Sequence, residues 1–92
     1  MNVLHKEDVT KGQFYIEKEG KLLAEMTYVW AGDRRIIIDH TDVHDELRGT
    51  GAGKQLVAKA VDFARAENIK ILPLCPFAKS VINKTKEYHD IL

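Results

Sequence analysis

The chain has 92 residues, of which 45% are hydrophobic and 30% charged, which suffices for one compact core but is too short for two ordinary domains. We therefore expect a single domain over residues 1–92. The 14 Lys and Arg residues balance the 14 Asp and Glu residues, so no global charge draws the chain to nucleic acid or to an anionic membrane. The apolar runs are far shorter than the roughly 20 residues of a membrane span.

Cysteine usage and the N-terminal residues bear on the compartment. Cys75 is the single cysteine, which excludes an internal disulfide and fits a reducing environment. Lys6, Glu7 and Asp8 have no apolar segment behind them, unlike a secretory signal. We expect a soluble, cytoplasmic protein, and we predict that it is a monomer.

Three strands are predicted in the first half of the chain. Gln13 to Lys18 is followed by a tight turn at Glu19-Gly20, and Leu22 to Trp30 places an apolar residue at every second position, the period of a half-buried strand. After a second turn, Arg35 to Val43 is rich in β-branched residues and continues an antiparallel meander.

The period then changes to that of a helix. The apolar residues recur at i, i+3 and i+4 and predict an amphipathic helix of about four turns that ends near Asn68: they are Gly53, Leu56, Val57, Ala60, Val61 and Ala64. Ile69 to Leu74 predicts a buried strand, parallel to the third strand through the crossover helix. Pro76 can open a last helix.

The predicted order is β-β-β-α-β-α, an α/β fold of the α+β type with an antiparallel meander and one parallel strand pair. Pro73 has no N–H to donate, so its strand should lie at an edge or part from its neighbour near its C-terminal end.

Three glycines alternate immediately after a strand and before a helix, at positions 49, 51 and 53. Without Cβ atoms the backbone can approach a ligand closely, and the first N–H groups of a helix lack partners at the positive end of its dipole. Arg48 and Lys54 add charge on either side. A pyrophosphate is therefore a natural occupant. The alternative is that the glycines only form a tight turn.

Two familiar phosphate loops do not fit this segment. A P-loop requires Gly where this chain has Arg48, and a hydroxyl where it has Gln55. The dinucleotide fingerprint Gly-x-Gly-x-x-Gly requires a different glycine spacing and a parallel context.

Arg48-x-x-Gly51-x-Gly53, at a strand-to-helix turn, resembles the acetyl-CoA signature of the GNAT superfamily of N-acetyltransferases, and the element order agrees. Within the superfamily the chain looks most like very short stand-alone members with a Cys-Pro-Phe/Tyr segment, here Cys75-Pro76-Phe77, and a terminal Glu87-Tyr88. The resemblance covers roughly Gln13 to Leu92. Ordinary members carry an extra helical segment after the first strand, and this chain has none, which bears on how an acceptor would be selected.

The resemblance implies acetyl-CoA as co-substrate, no metal, and a pantetheine arm that enters where two strands part. It implies that the backbone N–H of Val43 donates to the thioester carbonyl. It also assigns the pyrophosphate and its surroundings to a set of residues around the turn: Arg48, Gly49, Thr50, Gly51, Ala52, Gly53 and Lys54, with Cys75 and Phe77 beyond them.

Cys75 and His40 are the candidate catalytic residues. By the resemblance, Cys75 could accept the acetyl group as a nucleophile or protonate the leaving CoA thiolate; the alternative is an inert buried cysteine. His40 could take the proton of the acceptor amine, with Asp39 and Asp42 as rivals. Strand alternation predicts His40 and Asp42 on one face, and Asp39 and Thr41 on the other.

The implied function is transfer of acetyl from acetyl-CoA to a primary amine, which could belong to a protein lysine or N-terminus, a polyamine or a small metabolite. Two alternatives stay open, a CoA-binding module without turnover and a scaffold whose glycine loop is only a turn. Lys79, Lys84 and Lys86 could reach an outer phosphate, or could form a solvated helix face.

Overall fold

The computed structural model describes residues 2–92, which form one five-stranded sheet with two α-helices. The elements in chain order are β1 (Leu4–Glu7), β2 (Lys11–Lys18), β3 (Lys21–Trp30), β4 (Arg35–Val43), a 3-10 turn (Asp45–Leu47), α1 (Ala52–Glu67), β5 (Lys70–Pro73), α2 (Pro76–Lys84) and a C-terminal 3-10 helix (Lys86–Ile91). The strands lie in the order β1-β2-β3-β4-β5, all antiparallel except the parallel pair β4-β5. The predicted fold class is confirmed, and β1 is added in front of the predicted order.

A hydrogen-bonded aromatic cluster attaches β1 to the sheet. The Tyr28 hydroxyl donates to Glu7 Oε2 at 2.6 Å, so the Tyr28 oxygen must accept from His5 Nε2, which lies 2.6 Å away. The His5 ring also stacks on Phe14 with centroids 4.2 Å apart. Burial, followed by the hydrogen bond to Glu7, raises the pKa of Tyr28 and keeps its hydroxyl protonated. Tertiary contacts therefore hold a strand that has little local apolar pattern.

One face of the sheet packs against both helices in a single core. That face supplies Phe14, Met26 and Ile38, each fully buried, and α1 and α2 contribute Leu56 and Ile82, also fully buried. The opposite face carries the alternating polar residues of the strands. None of the helices in the described part of the chain has the length and apolar character needed to cross a membrane.

Helix α1 has local signals at both ends. Gly51 precedes it in the left-handed conformation, with φ 84°, and Asn68 follows it in the same conformation, with φ 56°. The Asn68 stop is confirmed. The helix begins at Ala52 because the first helical hydrogen bond runs from the Gln55 N–H to the Gly51 carbonyl at 3.0 Å.

Pro76 occupies the first turn of α2, as predicted, where its missing N–H is not needed. The 3-10 helix beyond α2 returns to α1 through Arg65, whose Nη2 lies 2.8 Å from Asp90 Oδ1. Ile91 is buried behind this ion pair, with 2% of its surface exposed. The C-terminal residues through Ile91 thus belong to the core.

Candidate active site

Strands β4 and β5 part as the Pro73 argument predicted. Their parallel pairing ends at Ile38 and Pro73, where the N–H groups of Leu74 and Cys75 both donate to the Ile38 carbonyl at 3.0 Å. Strand β4 continues to Val43, so its last residues line an opening beside Cys75. β5 is also an edge strand, which satisfies both readings of Pro73.

The backbone of Val43 is aimed at this opening. The next residue, His44, donates its N–H to the Leu23 carbonyl of β3 at 2.8 Å. Successive N–H groups of a strand point to opposite edges, so the Val43 N–H points away from β3, toward the gap. A backbone donor of β4 therefore faces the gap.

The turn between β4 and α1 leaves the N terminus of the helix uncapped. Gly51, as N-cap, has no side chain to accept from the N–H groups of Ala52, Gly53 and Lys54, which precede the first helical hydrogen bond. The first turn also has no acidic residue, and Lys54 within it faces the positive end of the helix dipole. An anion bound here would accept from these N–H groups and would place a negative charge beside Lys54, which offsets its repulsion by the helix dipole.

A cleft of about 560 Å³ lies over this turn. It is lined by Val43, Leu47, Arg48, Gly49, Thr50, Gly51, Ala52, Gly53, Lys54 and Phe77. The structure thus brings together the predicted cofactor residues other than Cys75, and it adds Leu47, whose only sequence signal is its place before Arg48. Arg48 is largely exposed and pairs with Asp45, with Nε 3.0 Å from Oδ1.

Phe77 separates this cleft from a smaller one. Its ring lies against the backbone of Gly53, and beyond it a cleft of about 410 Å³ includes Lys54, Lys84 and Tyr88. Lys84 is thereby close to the candidate site, whereas Lys79 and Lys86 do not line either cleft.

Cys75 is buried, with 7% of its surface exposed, and caps the start of α2. Its Sγ lies 3.2 Å from Thr41 Oγ1 across the gap. Burial raises the pKa of the thiol, but the Thr41 hydroxyl and the backbone of Ala78, Phe77 and Thr41 together lower it by more, so the net pKa lies below the ordinary value.

A β-bulge in β4 changes the predicted faces. The register shifts so that His40 pairs with Thr27 whereas Ile38 pairs with Tyr28, and Asp39 is the extra residue. Thr27 Oγ1 donates to Asp39 Oδ1 at 2.7 Å, which places Asp39 on the face of His40. The prediction that Asp39 shares a face with Thr41 is therefore wrong, because strand alternation does not continue through a bulge.

The bulge also separates the two candidate catalytic residues. Thr41 pairs with the buried Met26 and contacts Cys75 on the helix side of the sheet, whereas His40 is exposed on the other side. Asp42 lies on the side of His40, as predicted, because it pairs with Glu25. His40 and Cys75 therefore approach the gap from opposite faces.

A second cleft, of about 550 Å³, lies at the far end of β1, β2 and β3 and reaches Asp39. Its lining comes from strands and from the turn at Asp8, so it offers no helix N terminus to an anion. Among residues 2–92, no group of three or more His, Cys, Asp and Glu side chains is placed to hold a metal ion.

A mixed sheet whose parallel strands β4 and β5 part, with a glycine turn and an uncapped helix between them in the chain, is the α+β arrangement of the GNAT fold. The family model described as GCN5-related N-acetyl-transferase matches residues 13–91, and the chain belongs to that family.

Individual relatives agree with this membership. Protein NATD1 of Xenopus tropicalis is 30% identical over 61 residues, which are 66% of this chain and 56% of that protein, so the chain spans about half the length of the curated relatives it matches. The solution structure of a GCN5-like protein from Staphylococcus aureus is 43% identical, covers 98% of this chain and 87% of its own, and superposes with a TM-score of 0.75.

A more distant structure shares the fold. A protein of Bacillus anthracis str. Ames described as a streptothricin acetyltransferase, solved in complex with acetyl coenzyme A, is 18% identical with a TM-score of 0.59. The alignment covers 72% of this chain and 38% of that one.

Proposed function

We propose that this protein is an acetyl-CoA-dependent N-acetyltransferase that acts on a primary amine. The observation that carries the proposal is that Val43 belongs to two features. It lines the cleft over the uncapped helix N terminus together with Arg48 and Lys54, and it ends the strand that parts from β5 beside Cys75. Family membership supports this reading.

The residues present fit the co-substrate. The N–H groups of Gly51 to Lys54 would hold the pyrophosphate, with Arg48 and Lys54 contributing charge. The Val43 N–H would donate to the thioester oxygen, where negative charge develops during transfer. Acetyl-CoA supplies an acetyl group activated as a thioester. The cleft of about 550 Å³ is the weaker site for it because no helix N terminus opens onto it and three carboxylates, of Glu7, Asp8 and Asp39, line it.

The donors around Cys75 favour the nucleophilic role over the acid role. The thiolate would attack the carbonyl carbon, so that an Sγ–C bond forms and the bond to the CoA sulfur breaks, releasing the CoA thiolate. The acceptor amine would then displace Cys75 as a thiolate and lose its proton to a base. The lowered pKa of Cys75 eases formation of the thiolate that this role needs, whereas a general acid would need the thiol.

His40 is proposed as the base. It lies on the exposed face of the sheet, so the amine would enter the gap from the side opposite Thr41 and Cys75. Asp39 and Asp42 share that face and are its rivals. We expect His40→Gln to lower turnover with the amine while acetylation of Cys75 by acetyl-CoA is retained, with Asp39→Asn and Asp42→Asn as matched controls that keep turnover. Loss of turnover in a control instead would transfer the role to that aspartate.

The transferase proposal is tested by two measurements. Calorimetry should show saturable binding of CoA and acetyl-CoA, and thiol release should accompany acetylation of at least one member of a panel of peptides, polyamines and amino acids. Binding with no turnover across the panel would favour the CoA-binding module, and no binding at millimolar ligand would leave only the scaffold.

The role of Cys75 is tested by mass. Wild type incubated with acetyl-CoA and no amine should gain one acetyl group on Cys75, and Cys75→Ser should not. Normal turnover by Cys75→Ser, without acetyl mass on the wild type, would show that the nucleophilic role is wrong.

A further inference from the structure

The Thr41 hydroxyl is a side-chain group in contact with the Cys75 sulfur, and neither composition nor motif singled it out. Sγ and Oγ1 are 3.2 Å apart, within the range of a hydrogen bond that involves sulfur. The contact joins two elements that are no longer paired at this level, because the β4-β5 ladder ends at Ile38 and Pro73.

The bulge in β4 is what makes this contact possible. If β4 alternated regularly through Asp39, Thr41 would lie on the exposed face, away from α2. With the bulge, Thr41 pairs with the fully buried Met26 and reaches the N-terminal end of α2, where Cys75 lies. A bulge next to a reactive group commonly redirects a side chain in this way.

We infer that Thr41 is the positioning residue of Cys75, whose hydroxyl fixes Sγ at the edge of the gap and donates to the thiolate. The inference rests on the proposed function only in so far as Cys75 is reactive there. The hydroxyl has both a donor and an acceptor, so it can serve the thiol and the thiolate without moving. The backbone of Ala78, Phe77 and Thr41 itself also lowers the pKa of the thiol.

Charged groups on the neighbouring elements point elsewhere. His40 and Asp42 of β4 lie on the opposite face of the sheet, and Lys79 and Lys84 of α2 are exposed. A substitution of Thr41 should therefore change the reactivity of the Cys75 sulfur through the loss of one hydroxyl group, because no neighbouring charge is altered.

The test uses the full chain and a readout that needs no acetyl-CoA. Cys75 is the single cysteine, so the rate of alkylation by iodoacetamide as a function of pH reports on one thiol. Thr41→Val keeps the shape and removes the hydroxyl, and Thr41→Ser keeps the hydroxyl and removes the methyl group. Thr27→Val is the matched control, because it removes a strand hydroxyl whose partner, Asp39, lies on the other face.

We expect Thr41→Val to move the alkylation profile to higher pH and to lower the rate at neutral pH about fivefold, with Thr41→Ser and Thr27→Val close to wild type. If Thr41→Val does not fold, as judged by circular dichroism, Thr41→Ala makes the same comparison. An unchanged profile on loss of the hydroxyl, or a shift that Thr41→Ser reproduces, would overturn the inference.

Turnover separates this outcome from that of the proposed function. If the transferase proposal holds, Thr41→Val should lower kcat and leave the KM for acetyl-CoA unchanged, because the residue lies away from the pyrophosphate turn. If wild type has no turnover with any amine, the alkylation profiles still decide whether Thr41 positions Cys75.

Discussion

The ring of Phe77 lies against the backbone of Gly53, so closely that a Cβ added at Gly53 would be 2.6 Å from Phe77 Cζ. Gly53 is thus required by a contact between α1 and the start of α2. The glycine turn and the Cys-Pro-Phe segment, two motifs separated in the sequence, are joined by this contact at the edge of the cleft over the turn.

The first prediction concerns this contact. Gly53→Ala should displace the Phe77 ring and weaken CoA binding about tenfold, equivalent to ~1.4 kcal/mol, while the fold is retained because the ring is partly exposed and can move. Calorimetry gives the affinity and urea denaturation gives the stability. In a Phe77→Ala background the same Gly53→Ala change should stabilise the protein by about 1 kcal/mol, the helix preference of Ala over Gly. A destabilising effect of equal size in both backgrounds would contradict the contact.

The second prediction separates ligand approach from backbone strain at Gly51. Gly51 and Gly32 have φ of 84° and 76°, and an added Cβ would meet nothing within 4 Å at either position. Asn tolerates this conformation, so Gly51→Asn and Gly32→Asn should lose similar, small amounts of stability. Only Gly51→Asn should lose CoA affinity, by more than about tenfold, because its side chain enters the cleft. Equal CoA affinities of the Gly51→Asn and Gly32→Asn variants would show that the pyrophosphate does not bind at this turn.

The third prediction concerns Arg48, which pairs with Asp45 at the surface. Arg48→Gln should weaken CoA binding about fivefold at low salt, equivalent to ~1 kcal/mol, and should reduce the salt dependence of binding. The control is Arg34→Gln, which removes an exposed arginine in the turn before β4. Calorimetry at two ionic strengths makes the comparison, and an equal loss in both variants would mean that only net charge matters.

The fourth prediction is a pH dependence of stability that arises at β1. Burial lowers the pKa of His5, more than the neighbouring Glu7 raises it, and Lys59 lowers it further. The unfolded chain, with a pKa of about 6.5, therefore binds the proton first as pH falls, so this stability is complete above that value and is lost as pH falls toward the folded pKa.

His5→Gln, which keeps a donor for Tyr28, should flatten the stability profile below about pH 6.5. His44→Gln, which removes an exposed histidine, should leave the slope unchanged. Urea denaturation across this range measures both, and a slope that survives His5→Gln would assign it to another group.

The sequence predicted the parts of the fold that local pattern controls. The period of Leu22 to Trp30, the change of period before α1, and the stops at Asn68 and Pro73 all have causes within a few residues. β1 was missed because Leu4–Glu7 contains a single aliphatic residue and owes its place to contacts of His5 with Phe14 and Tyr28.

The candidate site was predictable to the same limit. The glycine turn is a local sequence motif, so its residues could be named as candidates. The contacts of Gly53 with Phe77 and of Thr41 with Cys75 join distant parts of the chain. The side of the sheet on which each β4 residue lies depends on one extra residue at Asp39, which no periodicity indicates.

The same bulge decides how this stretch of β4 aligns with a strand that lacks it. Removing Asp39 would restore regular pairing and leave both faces as they are, with His40 exposed and Thr41 toward α2, because the bulge holds one residue more than the partner strand. Without a gap at the bulge, an alignment with a regular strand that matches Ile38 would place each later residue of β4 on the wrong side of the sheet.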